Sequence, residues 1–241
     1  MKILVLGGGF AGVEAAIRLR KYGYEVTLIS DRDYMFIYPI SIWIPVSEIS
    51  FEDTKLNLFE LQKKHGFNLL IEKITKIDKE NQQIITDKSI HPYDYLFIAL
   101  GMSKVYIKGM EHTHSICGKP LEALTIKDEL EKLIAKGSGN INIGFGGNPK
   151  DPTSTTVRGG PAFELLFNIS NHLNKKGIRD NFKLTFFAPM AEPGKRMGDK
   201  AFKSMDVFFE RYHVNTHFGK KIKEFTQDAI IFADESQLKS D

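Results

Sequence analysis

The feature that most constrains this chain lies at its start. A four-residue apolar run, Ile3-Leu4-Val5-Leu6, breaks directly into Gly7-Gly8-Gly9-Phe10-Ala11-Gly12. A short continuous apolar run marks a strand covered on both faces, as in a parallel sheet. Gly7, Gly9 and Gly12 fill the spacing G-x-G-x-x-G, and each has its own task. Gly7 makes the tight turn, Gly9 lets the backbone approach a pyrophosphate, and Gly12 lets a helix pack closely on the strand. The helix that follows points unpaired N–H groups and a positive dipole end at the same place. Ala15, Ala16 and Leu19 give that helix a small sheet-facing stripe, Lys21-Tyr22-Gly23 closes it, and Glu25 to Ile29 forms a second strand. Strand, glycine turn, helix and strand within about 30 residues predict a dinucleotide-binding unit. Its candidate contacts are Gly7, Gly8, Gly9, Phe10, Ala11 and Gly12. The acid that usually ends the second strand and accepts from a ribose is displaced, because Ser30 stands there and Asp31 follows. That role is shared between the two.

Composition removes other classes. The 241 residues are 42% hydrophobic and 26% charged, ordinary for a globular chain with a sizeable core. A single cysteine allows no intrachain disulfide and no Cys-rich zinc site. The net charge of +3 is spread without a basic block, so no nucleic-acid partner is expected. No metal site is expected either: His112 and His114 are two apart, but no carboxylate or Cys completes a metal set, and the pair reads as part of a surface loop. The most apolar stretch, Met35 to Val46, is broken by Pro39 and Pro45 and falls short of the roughly 20 residues a membrane helix needs. No signal peptide is recognised: Gly7 to Gly9 end the first apolar run, and Glu14 follows. The expected location is cytoplasmic or peripheral to a membrane. Asn168-Ile169-Ser170 is a formal glycosylation sequon without secretion to give it meaning.

Further along, Tyr93 to Gly101 reads as an apolar strand ending in Ala99-Leu100-Gly101. Leu121, Leu124, Leu130, Leu133 and Ile134 give an amphipathic helix across Lys119 to Lys136. Asn140 to Ile143 is a strand running into a second glycine turn, Gly144-Phe145-Gly146-Gly147. A polar insertion, Asn148 to Arg158, then separates this turn from the next helix, which runs from Ala162 to about Lys175. A pyrophosphate cradle needs the turn adjacent to the helix N-terminus, so the insertion weakens any pyridine-nucleotide reading of this half. A strand over Lys183 to Phe187, a helix from about Asp199 to Tyr212, and short alternating stretches near Lys221 to Phe225 and Ile230 to Phe232 complete the pattern. The expected fold is α/β with two Rossmann-like domains on parallel sheets, residues 1–105 and residues 106–241.

With Ala99-Leu100-Gly101 in place, the chain resembles the two-dinucleotide flavoproteins, whose first domain binds FAD and closes on a strand ending Ala-Thr-Gly. Leu100 departs from that pattern. Four further segments resemble the sulfide:quinone oxidoreductase and flavocytochrome c sulfide dehydrogenase branch of the FAD-dependent pyridine nucleotide-disulfide oxidoreductases. They are Val26 to Arg32 with the aromatic run to Pro39, His114-Ser115-Ile116-Cys117, Gly160 to Glu164, and Lys176-Gly177-Ile178-Arg179.

The resemblance implies bound FAD, a small electron donor (sulfide or NADH), and a quinone or haem acceptor. It also implies a first domain left incomplete because the chain ends before a return segment, peripheral membrane contact through a segment absent here, and a homodimer. Cofactor contacts then extend to Ser30, Asp31, Arg32, Pro39, Ala99, Leu100 and Gly101, with the main chain at Ile74 meeting the adenine. Arg32 is otherwise a solvated charge, and Tyr34, Phe36, Tyr38 and Trp43 either wall the flavin or pack a core. Cys117 matches a cysteine that sits by the flavin edge in some relatives; its plain reading is a small buried hydrophobe. Glu164 would move protons at the flavin if burial raises its pKa; otherwise it is an acid favoured near a helix start. The relay cysteine of the branch falls on Arg158 or Gly159, so a sulfur relay is not assembled from this chain. A type II NADH:quinone dehydrogenase and a dinucleotide-binding module without turnover are the alternatives.

Overall fold

The computed structural model describes residues 1–117, 119–147 and 160–241. The chain divides into two compact units, residues 1–37 with 52–103, and residues 38–51 with 104–241. The division differs in one respect from a simple cut near residue 105: the segment 38–51 groups with the second half of the chain.

In the first unit, β1 (Ile3–Leu6) leads into α1 (Phe10–Lys21) and then β2 (Val26–Ser30). Next come β3 (Tyr34–Phe36), β4 (Lys55–Asn57), α2 (Leu58–His65) and β5 (Asn68–Ile71). The strands β6 (Ile74–Asp78), β7 (Gln83–Thr86), β8 (Ile90–Pro92) and β9 (Tyr95–Ile98) complete it. The main sheet has the order β5-β2-β1-β9, with every pair parallel. All four residues of β1 are buried, which is why the run is apolar without alternation. Ile3 and Val5 join Val13 and Ala16 of α1 with Leu28, Leu58 and Phe67 in one core. Leu4 and Leu6 face the other way, onto Ile29 and Ile84, under an antiparallel layer of β6, β7 and β8. The helix α2 starts on an Asn57 cap, whose side-chain oxygen accepts from the amides of Phe59 (2.8 Å) and Glu60 (3.2 Å), and it stops at left-handed Gly66.

In the second unit, residues 38–43 make a short 3-10 helix, followed later by α3 (Glu122–Lys136), β10 (Gly139–Gly144), α4 (Gly160–Lys175), β11 (Phe182–Ala188) and α5 (Asp199–Arg211). The strands β12 (Asn215–Phe218), β13 (Ile222–Phe225), β14 (Ala229–Phe232) and β15 (Gln237–Lys239) end the chain's structure. The strands β10, β11 and β12 pair in parallel, while β13, β14 and β15 form an antiparallel sheet. The three-residue β15 has one apolar residue, Leu238, too little for a period, so the sequence does not announce it. Aromatic side chains fill this core: Phe163 stacks on Phe186 at 4.3 Å, and Phe145 meets Phe186 edge-on at 5.3 Å. Val46 is buried in the same core, Asn168 Nδ2 donates to the Ile42 carbonyl at 3.5 Å, and Lys175 pairs with Glu48 at 2.7 Å. These contacts with α4 explain why 38–51 groups with this unit. They also put Asn168, Ile169 and Ser170 inside α4, the last two buried, where a folded chain does not present a glycosylation sequon.

Among the described residues no helix is long and apolar enough to cross a membrane, and no three His, Cys, Asp or Glu side chains group closely enough to hold a metal ion.

Candidate functional site

Because β5, β2, β1 and β9 run parallel, the residues after them meet at one edge of the sheet: Glu72 and Lys73, Ser30 to Arg32, Gly7 to Gly9, and Ala99 to Gly101. With β1 flanked on opposite sides by β2 and β9, its loop opens at the point where strand order reverses, the place open α/β sheets bind ligands. The glycines there answer to separate constraints. Gly7 adopts φ +108°, donates to the Ile29 carbonyl at 2.8 Å, and has no room for a Cβ beside the Ala99 carbonyl. A Cβ on Gly12 would fall onto the Gly7 carbonyl oxygen, so the helix and loop touch backbone to backbone. A Cβ on Gly8 would strike the Ser30 hydroxyl and come within 2.9 Å of Leu58.

Gly9 is different. Its φ of −88° suits any residue, and nothing lies within 4 Å of where its Cβ would be. Neither torsion nor neighbour inside this unit demands a glycine, which leaves close approach of an outside group as its use. The first turn of α1 has no side-chain cap and no acidic residue, and the first intrahelical bond runs from the Val13 amide to the Gly9 carbonyl at 3.0 Å. An uncapped, acid-free first turn beside an open glycine is a cradle for an anion such as a pyrophosphate.

At the end of β2 the two ribose candidates separate. Ser30 is buried; its hydroxyl donates to the Arg32 carbonyl at 2.7 Å and accepts from the Arg32 amide at 3.3 Å. Asp31 is exposed, with a carboxylate oxygen 3.0 Å from Arg32 Nε. The Arg32 guanidinium in turn lies 5.8 Å from the centre of the Tyr34 ring. Ser30 thus closes a turn, and Asp31 is the group left facing outward. Across the loop, the Ala99 amide donates to the Leu6 carbonyl at 2.8 Å, Leu100 is exposed, and Gly101 takes φ +78°. Ile74 sits in β6 opposite Thr86, while both backbone groups of Lys73 are held by Asp87 (amide to carboxylate 2.8 Å, carbonyl to amide 2.9 Å).

Sequence reasoning missed a cluster at this edge. The Glu72 carboxylate accepts from the Thr86 hydroxyl at 2.6 Å and lies 2.7 Å from His91 Nε2. Burial acts to raise the Glu72 pKa, but hydrogen bonds from Thr86 and His91 and the charges of His91 and Lys88 outweigh it, and the pKa is lowered. Glu72 comes from the loop after β5, Thr86 from β7 and His91 from β8, so no local motif signals the cluster.

The remaining candidates belong to the second unit. Pro39 and its neighbour Tyr38 are exposed at the start of the 3-10 helix, and Glu164 is exposed on α4, without the burial its proton-moving role called for. Cys117 is also exposed; partial desolvation raises its thiol pKa, with Lys104 acting the other way, so the thiol is not activated. Arg158 and Gly159, the relay position, lie outside the described residues.

The fold and this edge define the class: a two-unit α/β chain whose first parallel sheet carries a glycine loop of the dinucleotide-binding kind. The chain belongs to the pyridine nucleotide-disulphide oxidoreductase family, whose model matches residues 1–241. It is 29% identical over 246 aligned residues to the sulfide-quinone reductase of Aquifex aeolicus (strain VF5), covering 96% of this chain and 54% of that protein. It is 33% identical over 125 residues to a type II NADH:quinone oxidoreductase of Staphylococcus epidermidis, covering 48% of this chain and 30% of that one. The crystal structure of the Aquifex aeolicus sulfide:quinone oxidoreductase superposes with a TM-score of 0.84 at 25% identity, over 98% of this chain and 56% of that chain. NDH2 from Plasmodium falciparum, in complex with NADH, shares the fold with a TM-score of 0.81. The chain spans about half the length of the first curated relative.

Proposed function

We propose that this protein binds FAD through the Gly7–Gly12 cradle and passes electrons from a small reduced donor to a quinone, in the manner of a sulfide:quinone oxidoreductase. The observation that carries the proposal is Gly9, a glycine with no use inside its own unit, at the mouth of an uncapped helix. When bound, FAD supplies the reversible two-electron chemistry. The chain's own residues do the rest. The amides around Gly8 to Ala11 hold the pyrophosphate, with α1's dipole aligned behind them. Asp31 accepts from the ribose hydroxyls, and Arg32 steadies Asp31 through their ion pair. Ala99, Leu100 and Gly101 form the opposite wall of the crevice, and Ile74 and Pro39 are the proposed contacts to the adenine and the flavin. Glu164 is the proposed proton carrier, and Cys117 the thiol proposed to lie beside the flavin.

Sulfide is favoured over NADH as donor because, in the sequence, the polar stretch Asn148 to Arg158 separates the glycines 144–147 from the α4 segment. The longer match to the sulfide-quinone reductase, 96% of this chain against 48% and 75% for type II NADH:quinone oxidoreductases, supports the same choice. A haem acceptor, a homodimer and contact with a membrane surface remain parts of the proposal drawn from resemblance.

Anaerobic titration of the FAD-loaded protein tests it. Sulfide is expected to bleach the flavin absorbance, and an added quinone to restore it. Bleaching by NADH alone would transfer the protein to the NADH:quinone type. Protein that takes up FAD but is bleached by neither is a dinucleotide-binding module without turnover.

A further inference from the structure

The cluster around Glu72 has no part in the chemistry proposed above, yet it adjoins the ribose end of the site. The Glu72 amide donates to the Ser30 carbonyl at 2.8 Å, and the Ser30 hydroxyl occupies the space a Cβ on Gly8 would need. On its other side the Glu72 carboxylate is only 11% exposed and is held by Thr86 and His91. The Thr86 hydroxyl also accepts from the amides of Lys88 (3.2 Å) and Ser89 (2.9 Å), and Lys88 Nζ donates to the Ile71 carbonyl at 2.7 Å. A continuous chain of contacts therefore runs from the turn between β7 and β8, through Glu72, to the end of β2 and the glycine loop. A half-buried carboxylate with charge-assisted bonds on one side and a backbone bond on the other fixes geometry more tightly than apolar packing does.

We propose that Glu72, held by Thr86 and His91, is a positioning residue for the dinucleotide site: it locks the end of β2 so that Asp31 is presented to the ribose. The proposal rests on the reading of this edge as the FAD site. Glu72 does not touch the dinucleotide; it acts through the Ser30 backbone.

The test compares Glu72→Gln and Thr86→Val with the conservative Thr86→Ser, and with Ile84→Val, which trims the core beneath the same β-layer and removes none of the cluster's polar groups. The first measurement is amide hydrogen exchange by mass spectrometry on the purified protein without added FAD. Glu72→Gln and Thr86→Val are expected to speed exchange in the peptide spanning residues 28–33 about tenfold, the equivalent of one lost charge-assisted hydrogen bond, with Thr86→Ser and Ile84→Val within about twofold of the parent. The second is FAD affinity by flavin fluorescence, where the same two variants are expected to weaken binding about tenfold and Thr86→Ser to restore it. Unchanged exchange at 28–33 in Glu72→Gln overturns the proposal, as does equal acceleration in Ile84→Val. A parent protein that takes up no FAD, with exchange changing as expected, overturns the FAD reading and leaves the lock standing.

Discussion

The two units build the same layered motif, a parallel sheet with helices and an antiparallel layer, and treat its glycine turn in opposite ways. In the first unit Gly7 to Gly9 run straight into α1; Gly7 and Gly12 pack against backbone, Gly8 against the Ser30 and Leu58 side chains, and Gly9 stands open. In the second, each of Gly144, Gly146 and Gly147 has a near neighbour where its Cβ would be: the Phe187 carbonyl, Ile107 and Pro189. Between them Phe145 turns into the aromatic core, edge-on to Phe163 at 5.9 Å. A glycine turn is thus a ligand cradle only where some of its free space is left unfilled. The second turn has the composition of a nucleotide loop and uses its glycines for packing.

The largest expected effects attack the backbone contacts that make the first turn. Gly12→Val forces a side chain onto the Gly7 carbonyl and should cost about 3 kcal/mol or more in urea unfolding, with FAD binding lost. Gly9→Ala adds a methyl to open space and should change stability by less than about 1 kcal/mol while weakening FAD binding at least tenfold. If Gly9→Ala binds FAD like the parent, the cradle in the first unit is no more a ligand site than the turn in the second.

Arg179 offers a comparable break in the second unit. It is buried and donates to Ser170 Oγ (3.1 Å) and to the carbonyls of Phe182 (2.7 Å), Tyr212 (2.8 Å) and His213 (2.8 Å). Two of those carbonyls close the C-terminus of α5, where a cation also meets the helix dipole. Arg179→Met leaves four acceptors without their donor and should destabilise the second unit by about 3 kcal/mol, read as a lower urea midpoint by tryptophan fluorescence from Trp43. No loss of FAD affinity at low urea is expected.

Local chemistry decided what could be read from the sequence. The strand, glycine turn and helix at residues 3–21 are contiguous, so the residues that build the cradle also announce it. The parallel β10 and β11 were equally legible from short apolar runs, as was α4 from its apolar period. The membership of residues 38–51 was not, because it depends on Val46 and Glu48 reaching partners on α4 more than a hundred residues away. The choice between Ser30 and Asp31 also lay beyond the sequence. It turns on the Ser30 hydroxyl finding the Arg32 carbonyl, a local bond that either rotamer pattern would allow on paper. The Glu72 cluster joins residues 14 and 19 apart through strand pairing, a spacing with no signature.

Acid separates the units next. In the second unit His172 and His217 have lowered pKa values, chiefly because burial disfavours the charged ring, with nearby lysines acting in the same direction. The unfolded chain therefore binds protons that the folded unit resists, starting near the ordinary histidine value of about 6.5. Stability of that unit is full above this value and falls as pH drops through it. The first unit's Glu72, with its lowered pKa, contributes stability that is present above about 4.5 and lost only below it. Urea midpoints at pH 7.5, 5.5 and 4 should show the second unit weakening between the first two values, and the first unit only toward the last. His172→Asn and His217→Asn should each flatten the upper step; a step unchanged in both variants would place its origin elsewhere.

The smallest effect is expected at Cys117. The thiol is exposed and its pKa is raised by partial desolvation, with Lys104 acting the other way, so at neutral pH it is a neutral surface group. Cys117→Ser should leave the urea midpoint unchanged within about 0.5 kcal/mol, the usual size of a surface substitution. What the variant can change is flavin attachment. If the parent retains yellow colour through acid precipitation and Cys117→Ser releases it, the thiol tethers the flavin. If both release it, Cys117 is a surface thiol with no covalent tie to the flavin.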